Sequence, residues 1–292
     1  MHAEAEPLWR EAVEGRRKQL GAQHEDTLLA VGNLAQLLLD MDQLTEAELL
    51  FREALEGERK LYGVRHERTV SSVNNLAQLL KSQGKLTEAE PLCCDALVGC
   101  REVHGALHPN TLGAATNLGM LLKGLGKLVE AEPHCREALE GRREVLGARH
   151  LDTLSAVKNL ALLLQDQGKL TEAEPLIREV LDGYREVLGD QHFWTLVATG
   201  NLVDCLRELG RLEEAQGVLG DAPAVAAETL GPSHVLTLAT RAKAARLCHA
   251  QPCSGTSERD ELARVVAEMG EAFGAEHPQT RKYAAALAEM HT

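Results

Sequence analysis

Aromatic residues are scarce in this chain of 292 residues, at 3% of the sequence, although 44% of the residues are hydrophobic. A core must therefore be built from leucine, valine and alanine, and this apolar content is ample for a large one. No apolar run approaches the roughly 18 residues that cross a bilayer, and the first residues do not form a secretory signal. The sequence thus predicts a chain without a membrane-inserted segment.

Basic residues are also in deficit, because 31 Lys and Arg face 44 Asp and Glu, for a net charge of −13. Binding to phosphates needs clustered basic residues, so this balance argues against a nucleic-acid partner and equally against an anionic membrane surface. The seven cysteines are an odd number without the spacing of a disulfide framework. We therefore expect reduced thiols in a cytoplasmic protein.

What the chain has in abundance is internal repetition. Gly-x-x-His recurs every 42 residues, with the last copy one residue late, at Gly21/His24, Gly63/His66, Gly105/His108, Gly147/His150, Gly189/His192, Gly231/His234 and Gly274/His277. Asn-Leu recurs in the same register at Asn33, Asn75, Asn117, Asn159 and Asn201. A strict period over a whole chain is typical of a solenoid, in which each unit contacts only its neighbours.

Each unit predicts two helices joined by a tight turn. In the first full unit, the apolar positions of the first helix have the i, i+3, i+4, i+7 spacing: Leu28, Val31, Leu34, Ala35 and Leu38. In later units a glycine such as Gly84 ends this helix, because glycine adopts the left-handed conformation readily. A second helix is predicted from about Thr45 to Leu61, and Thr45 to Glu48 fits the Thr-x-x-Glu capping box. The small residues Ala35 and Ala47 allow the two helices to approach closely.

This pattern predicts one solenoid over residues 1–292. Residues 4–21 match a second helix without its first helix, residues 234–274 form a degenerate repeat, and residues 277–292 form a capping helix. The full repeats are 24–63, 66–105, 108–147, 150–189 and 192–231. Pro223 predicts a kinked or shortened helix in the last of these, and Gln251 to Ser257 predict a flexible loop.

The repeat resembles a known family. Val-x-x-Leu-Ala-x-x-Leu followed by Gly-Lys-Leu-x-Glu-Ala-Glu resembles the tetratricopeptide repeat, and the 42-residue form resembles the repeats of kinesin light chains and nephrocystin-3-like proteins. The resemblance implies an all-α solenoid of helix-turn-helix repeats with a right-handed superhelix. It also implies a cytoplasmic, cytoskeleton-associated adaptor that works in motor or signalling complexes.

In this family the first helix of each unit lines a concave groove. Placing the apolar positions inside leaves a set of polar residues facing that groove: Asn33, Gln36, Asn74, Asn75, Gln78, Lys81, Asn117, Lys123, Lys158, Asn159, Asn201, Lys243 and Arg246. A column of asparagines can pair with the backbone of an extended peptide, since each amide donates and accepts. The basic residues favour acidic peptides. The alternative is that each asparagine bridges neighbouring helices and only holds the stack.

Sites for chemistry are not indicated by the sequence. The periodic histidines are too far apart to share a metal ion, so we expect them to cap helices or pack between repeats. Cys93, Cys94, Cys100, His134 and Cys135 lack zinc-ligand spacing and suit small apolar roles instead. The segment from Gly119 to Leu128 lacks the ending of a phosphate-binding loop. We therefore expect no enzyme activity, no cofactor and no metal.

The sequence thus predicts a scaffold or adaptor that binds extended peptide segments of other proteins. The alternative is a regulatory or sensing array of a larger NTPase or protease. Phe193 and Trp194 depart from the usual Pro-x before the threonine of a first helix, and they predict either a surface anchor for a partner or packing between repeats.

Overall fold

Helices account for every regular element in the residues that the computed structural model describes, which are 2–248 and 258–289. The loop predicted from Gln251 to Ser257 and the end of the predicted capping helix, residues 290–292, lie outside these ranges. Within the described ranges, no helix is sufficiently long and apolar to span a membrane. The chain forms two compact units, Met1–Gly147 and Ala148–Thr292, hereafter unit 1 and unit 2.

Unit 1 begins with a lone second-type helix and continues with three hairpins. Its helices are α1 (His2–Leu20), α2 (Glu25–Asp40), α3 (Leu44–Tyr62), α4 (Glu67–Ser82), α5 (Leu86–His104), α6 (Pro109–Gly124) and α7 (Leu128–Leu146). Each hairpin pairs a helix of 16 residues with one of 19 residues. The predicted two-helix unit is therefore confirmed.

Unit 2 continues the same alternation with one interruption. Its helices are α8 (Leu151–Asp166), α9 (Leu170–Leu188), α10 (Phe193–Glu208), α11 (Leu212–Leu219), α12 (Ala222–Leu230), α13 (Val235–Cys248), α14 (Glu258–Phe273) and α15 (Pro278–Glu289). The grouping of these helices into the predicted repeats, and of all repeats into one solenoid, remains a prediction.

The second helix of the fifth full repeat is split into α11 and α12. Gly220 separates the two pieces with a φ of 47°, and Pro223 lies in the first turn of α12, where a missing backbone donor costs least. The predicted shortening of this helix is confirmed. The break lies three residues before the proline, at Gly220, because this glycine adopts the positive φ that ends α11.

Each periodic histidine begins a first helix. The Nδ1 atom of His24 accepts a hydrogen bond from the backbone N–H of Asp26 at 3.2 Å. The same contact, at 3.1 to 3.3 Å, is made by His66, His108, His150, His192, His234 and His277. The capping role expected for these residues is therefore confirmed, and it satisfies a backbone donor that the helix leaves unpaired.

In several repeats, a threonine three residues after the histidine connects the first helix to the preceding loop. The Oγ1 atom of Thr69 donates to the carbonyl of Gly63 at 2.8 Å. Equivalent bonds join Thr111 to Gly105, Thr195 to Gly189 and Thr237 to Gly231. The motif Gly-x-x-His-x-x-Thr thus connects the end of one repeat to the start of the next.

The predicted capping box at the second helices is wrong. Helix α3 begins at Leu44, one residue before Thr45, and its cap residue Gln43 makes no side-chain capping bond. The Glu48 carboxylate instead accepts bonds from Arg52 at 2.7 Å and from Lys85, in the next hairpin, at 2.8 Å. The salt bridge to Lys85 competes for the Glu48 carboxylate. Glu48 therefore connects two repeats and does not cap the start of α3.

Small residues let the two helices of a hairpin approach closely at two places, an alanine pair and a glycine of the second helix. Ala35 and Ala47 are fully buried where α2 meets α3, as their size predicts. Glycines in the second helices, which the sequence reasoning missed, face a Leu or Val of the first helix at four successive repeats: Gly57/Leu28, Gly99/Val70, Gly141/Leu112 and Gly183/Leu154. A side chain at any of these glycines would overlap its partner. Their recurrence at the repeat period was the signal that could have revealed them.

Candidate functional site

The faces of the first helices that carry the repeated asparagines form one candidate site in each unit. We call these surfaces the asparagine face of unit 1, which carries Asn33, Asn75 and Asn117, and the asparagine face of unit 2, which carries Asn159 and Asn201. The capped helix starts and the tight turns fix the register of the helices, so that equivalent positions face the same way.

On the asparagine face of unit 1, helices α4 and α6 border an open depression of about 340 Å³. Four of the predicted site residues line it, namely Asn74, Asn75, Gln78 and Asn117. Ser71 and Asn110 also line it, and the sequence reasoning missed them. Asn33 and Gln36 lie on α2, outside this depression. The structure therefore brings Asn74, Asn75, Gln78 and Asn117 together in one depression. Asn33 and Gln36 do not belong to it.

The asparagine amides are mostly unengaged. The Nδ2 atom of Asn117 donates to Oδ1 of Asn74 at 3.2 Å, which joins neighbouring first helices. Within the described residues, the side-chain amides of Asn33, Asn75, Asn159 and Asn201 bond to no other protein group. The bridging role accounts for the Asn74–Asn117 pair alone among these residues, and the other amides are available to a ligand.

The basic residues of unit 1 lie at the ends of the first helices. Lys81 is exposed at the end of α4, and Lys123 is half-buried at the end of α6. Burial raises the pKa of the nearby thiols of Cys93 and Cys135 to about 11, and the two lysines oppose that rise. These cysteines are thus protonated apolar groups of the core, and the described residues contain no cluster that could hold a metal ion.

On the asparagine face of unit 2, the predicted residues Lys158 and Asn201 lie around the aromatic side chain of Trp194, together with Gln165. The Lys158 ammonium is 5.1 Å from the centre of the Trp194 ring. Gln165 and Asn201 line the narrow apolar pocket beside that ring. Asn159 lies next to Lys158 on α8 but does not line this pocket.

Lys243 does not belong to an open surface. Its side chain is 9% exposed, and its ammonium lies 2.5 Å from Oδ2 of Asp204 and donates to the Gly200 carbonyl at 2.9 Å. Burial lowers the pKa of Lys243, which the Asp204 carboxylate partly opposes. The ammonium is therefore used within the fold, and we leave Lys243 out of the proposed peptide contacts.

Asp204 forms ion pairs with two ammonium groups, those of Lys243 and Lys282, and the sequence did not predict them. Lys282 of α15 lies 3.1 Å from the same Oδ2 atom. Burial alone would raise the pKa of Asp204, but the charges of Lys243 and Lys282 hold it below its ordinary value. The remaining predicted residue, Arg246, is half-buried, and burial and the nearby Arg207 lower its pKa. This end of unit 2 is held by internal ion pairs.

An all-α array of helical hairpins with polar residues along its first helices defines a repeat scaffold suited to protein–protein interaction. The sequence matches the tetratricopeptide repeat family over residues 1–60, 33–96, 68–144, 111–162 and 152–222, and the chain belongs to this family. No curated protein matches the chain in sequence.

Solved structures share this fold at low sequence identity. The kinesin light chain-type protein of Podosopora anserina, with nearly identical TPR-like repeats, is 23% identical with a TM-score of 0.64, covering 70% of this chain and 98% of that one. BtubC (BKLC) from P. vanneervenii is 20% identical with a TM-score of 0.66, covering 79% and 93%. YrrB, described as a TPR protein with an unusual peptide-binding site, is 18% identical with a TM-score of 0.51, covering 79% and 95%.

Proposed function

We propose that this chain binds extended peptide segments of partner proteins along its asparagine faces. The observation that carries the proposal is the set of unengaged amides, Asn33 and Asn75 in unit 1 and Asn159 and Asn201 in unit 2. A carboxamide can donate to a peptide carbonyl and accept from a peptide N–H, so such a row binds backbone without requiring one sequence. The peptide-binding site ascribed to YrrB, which shares the fold, supports this proposal.

The proposal includes a preference for acidic peptides. Lys81 in unit 1 and Lys158 in unit 2 have no carboxylate partner among the described residues. An ammonium without an internal partner attracts a peptide carboxylate, and this attraction weakens as salt increases. On the resemblance of its repeat to that of kinesin light chains, we extend the proposal to a cytoplasmic cargo adaptor.

A peptide selection tests this function directly. A displayed library of random peptides is selected on the immobilised chain, and the dissociation constants of the selected peptides are measured by fluorescence anisotropy. We expect peptides rich in Asp and Glu. Asn75→Ala should weaken those bound at unit 1 by roughly threefold to tenfold, because one hydrogen bond contributes about 1 kcal/mol. Lys81→Gln should reduce the salt dependence of the same peptides.

The matched control is Gln19→Ala, which removes an exposed amide from α1, outside the asparagine face. Circular dichroism of each variant should show unchanged helix content and melting temperature. Failure to select any peptide, or selected peptides that bind Asn75→Ala and Asn159→Ala as tightly as the unaltered chain, would contradict the proposal.

A further inference from the structure

The depression on the asparagine face of unit 1 lies where two successive first helices carry small residues at one repeat position. That position is Ser71 in α4 and Gly113 in α6, and both residues line the depression. The equivalent residues in the first and fifth full repeats are Leu29 and Val197. A Cβ added to Gly113 would meet nothing within 4 Å. The depression is therefore open space that a larger side chain at this position would fill.

This space is large enough for a side chain of a bound peptide. It has a volume of about 340 Å³ and is bordered by α4, α5 and α6, whereas one water molecule occupies about 30 Å³ of the liquid. Val70, Cys100 and Ala114 line it from the core, and Asn74 and Asn117 line it as half-buried polar residues. A side chain with a short aliphatic stem and a polar end fits these surroundings.

The described residues that border this space carry no fixed charge, since none of them is Asp, Glu, Lys or Arg. Burial raises the pKa of the Cys100 thiol, so this group is neutral as well. The polar side chains of the lining are Ser71, Asn74, Asn75, Gln78, His104, Asn110 and Asn117. A charged side chain that entered would lose hydration without meeting an opposite charge, whereas a neutral polar group would exchange water for these partners.

The amide pair of Asn74 and Asn117 complements a carboxamide. The Nδ2 atom of Asn117 donates to Oδ1 of Asn74 at 3.2 Å, which leaves Nδ2 of Asn74 as a donor and Oδ1 of Asn117 as an acceptor. Within the described residues, neither of these two atoms bonds to another protein group. A carboxamide can accept from the first atom and donate to the second, whereas a carboxylate only accepts and an ammonium only donates.

We propose that the depression of unit 1 is a subsite for a glutamine or asparagine side chain of the bound peptide. The carbonyl of that side chain accepts from Asn74, and its NH2 group donates to Asn117. Lys81, which lies outside the depression, attracts carboxylates elsewhere in the same peptide. This inference rests on the proposed function, because it assigns a side-chain preference to the asparagine face of unit 1.

The probe is the blocked peptide Ser-Glu-Gln-Glu-Ser, titrated into isotope-labelled chain and followed through the side-chain amide signals of asparagine in NMR spectra. The matched peptides carry Glu or Met in place of Gln. We expect saturable shifts of the Asn74 and Asn117 amides and about tenfold tighter binding of the Gln peptide than of either matched peptide. The titration is run at about pH 8, where free imidazole is neutral, so that His104 adds no charge.

The Glu peptide makes this comparison stringent. It carries one more negative charge than the Gln peptide, so general attraction to Lys81 favours it. A preference for Gln therefore reports the depression and opposes the effect of net charge.

The variant Gly113→Leu tests the shape of the subsite. It should fill the depression and abolish the preference for Gln, with an unchanged or higher melting temperature, because leucine favours helix over glycine. Gly15→Leu is the matched control on α1, since a Cβ on Gly15 also meets nothing within 4 Å, and it should keep the preference. Asn74→Ala leaves the space open and should reduce the preference through the lost amide alone.

Equal affinity for the three peptides, together with weaker binding of all three to Asn75→Ala, would overturn the subsite and leave the proposed function standing. A preference for Gln that persisted in Gly113→Leu would also overturn the subsite. If no asparagine amide of unit 1 shifted with any of the three peptides, the subsite and peptide binding at the asparagine face of unit 1 would both be overturned.

Discussion

At the scale of single residues, each hairpin depends on a short recurring set of polar contacts. A histidine side chain replaces the Ser, Thr, Asp or Asn that usually caps a helix, and it acts as an acceptor through Nδ1. In several repeats a threonine hydroxyl also donates to the carbonyl of the preceding glycine. The histidine lies in the loop before the helix and the threonine in the first turn of the helix, so their repetition reflects the satisfaction of backbone groups at helix ends.

Replacing His150 by Ala should destabilise the chain by about 1 kcal/mol, because the N–H of Asp152 loses its acceptor. His150→Asn should retain most of the stability, since the asparagine carbonyl accepts the same bond. The free energies of unfolding in urea provide the comparison. Equal losses in both variants would show that the histidine contributes through something other than capping.

The turn between the helices of the first full hairpin contains a residue in an unfavourable conformation. Asp42 has a φ of 60°, whereas Gly84 in the next hairpin has a φ of 74°. The left-handed region costs a residue with a Cβ on the order of 1 kcal/mol. Asp42→Gly should therefore stabilise the chain by about 0.5–1 kcal/mol and the reciprocal Gly84→Asp should destabilise it. Thermal melts of both variants measure these effects, and melting temperatures that moved in the same direction would refute the explanation.

At the scale of the element, hairpin packing depends on a glycine of the second helix. A Cβ placed on Gly99 would lie 2.6 Å from Cγ2 of Val70. A β-branched side chain in a helix has one preferred rotamer, so Val70 has little freedom to move away. The close approach of α4 and α5 therefore requires glycine at this position.

Gly99→Ala should destabilise the chain by about 1–3 kcal/mol through overpacking, although alanine favours helix over glycine by about 1 kcal/mol. Combining it with Val70→Ala should recover part of the loss, measured as a coupling energy in a double-mutant cycle. Gly15→Ala is the matched control, because a Cβ on Gly15 meets nothing within 4 Å. That control should be stabilising. Additive effects of Gly99→Ala and Val70→Ala would exclude a direct steric conflict.

At the scale of the molecule, salt bridges at regular spacing connect one repeat, or the lone helix α1, to the next repeat within unit 1. Arg17 pairs with Glu53 at 2.6 Å, Arg101 with Glu137 at 2.5 Å, and Lys127 with Glu90 at 2.6 Å. Hydrogen bonds from Lys85 and Arg52 lower the pKa of Glu48 to about 2. Because carboxylates hold neighbouring repeats together in a chain of charge −13, the array should weaken in acid.

Glu48 is the sharpest test of that acid sensitivity. Its pKa is lowered in the folded chain, so its contribution is fully present above the ordinary value of 4.5 and is lost as the pH falls toward about 2. Glu48→Gln should cost about 2 kcal/mol near neutral pH, and the gap from the unaltered chain should close over that window. Urea unfolding at stepped pH measures the gap, with the exposed Glu67→Gln as control. A gap that did not change with pH would rule out the charged pair as its cause.

Much of this architecture could be predicted from the sequence, because its causes are local. The helix periodicity, the glycines at the turns, the capping histidines and the small pair Ala35 and Ala47 act within one repeat, and the period copies each of them. Pro223 likewise predicted the shortened helix from its own backbone restriction. The asparagine positions follow from the same register, and their contact with a peptide stays a prediction.

The tertiary structure decided where the long polar and aromatic side chains go. Glu48 reaches the next hairpin where a local cap was predicted, Lys243 is buried against Asp204, and Lys158 lies over Trp194. Each of these side chains has several rotatable bonds and more than one partner within reach. Its choice depends on which groups an adjacent helix presents and on the burial of the resulting pair. The neighbouring groups and the burial exist only when repeats pack against each other, so the sequence of a single repeat does not predict them.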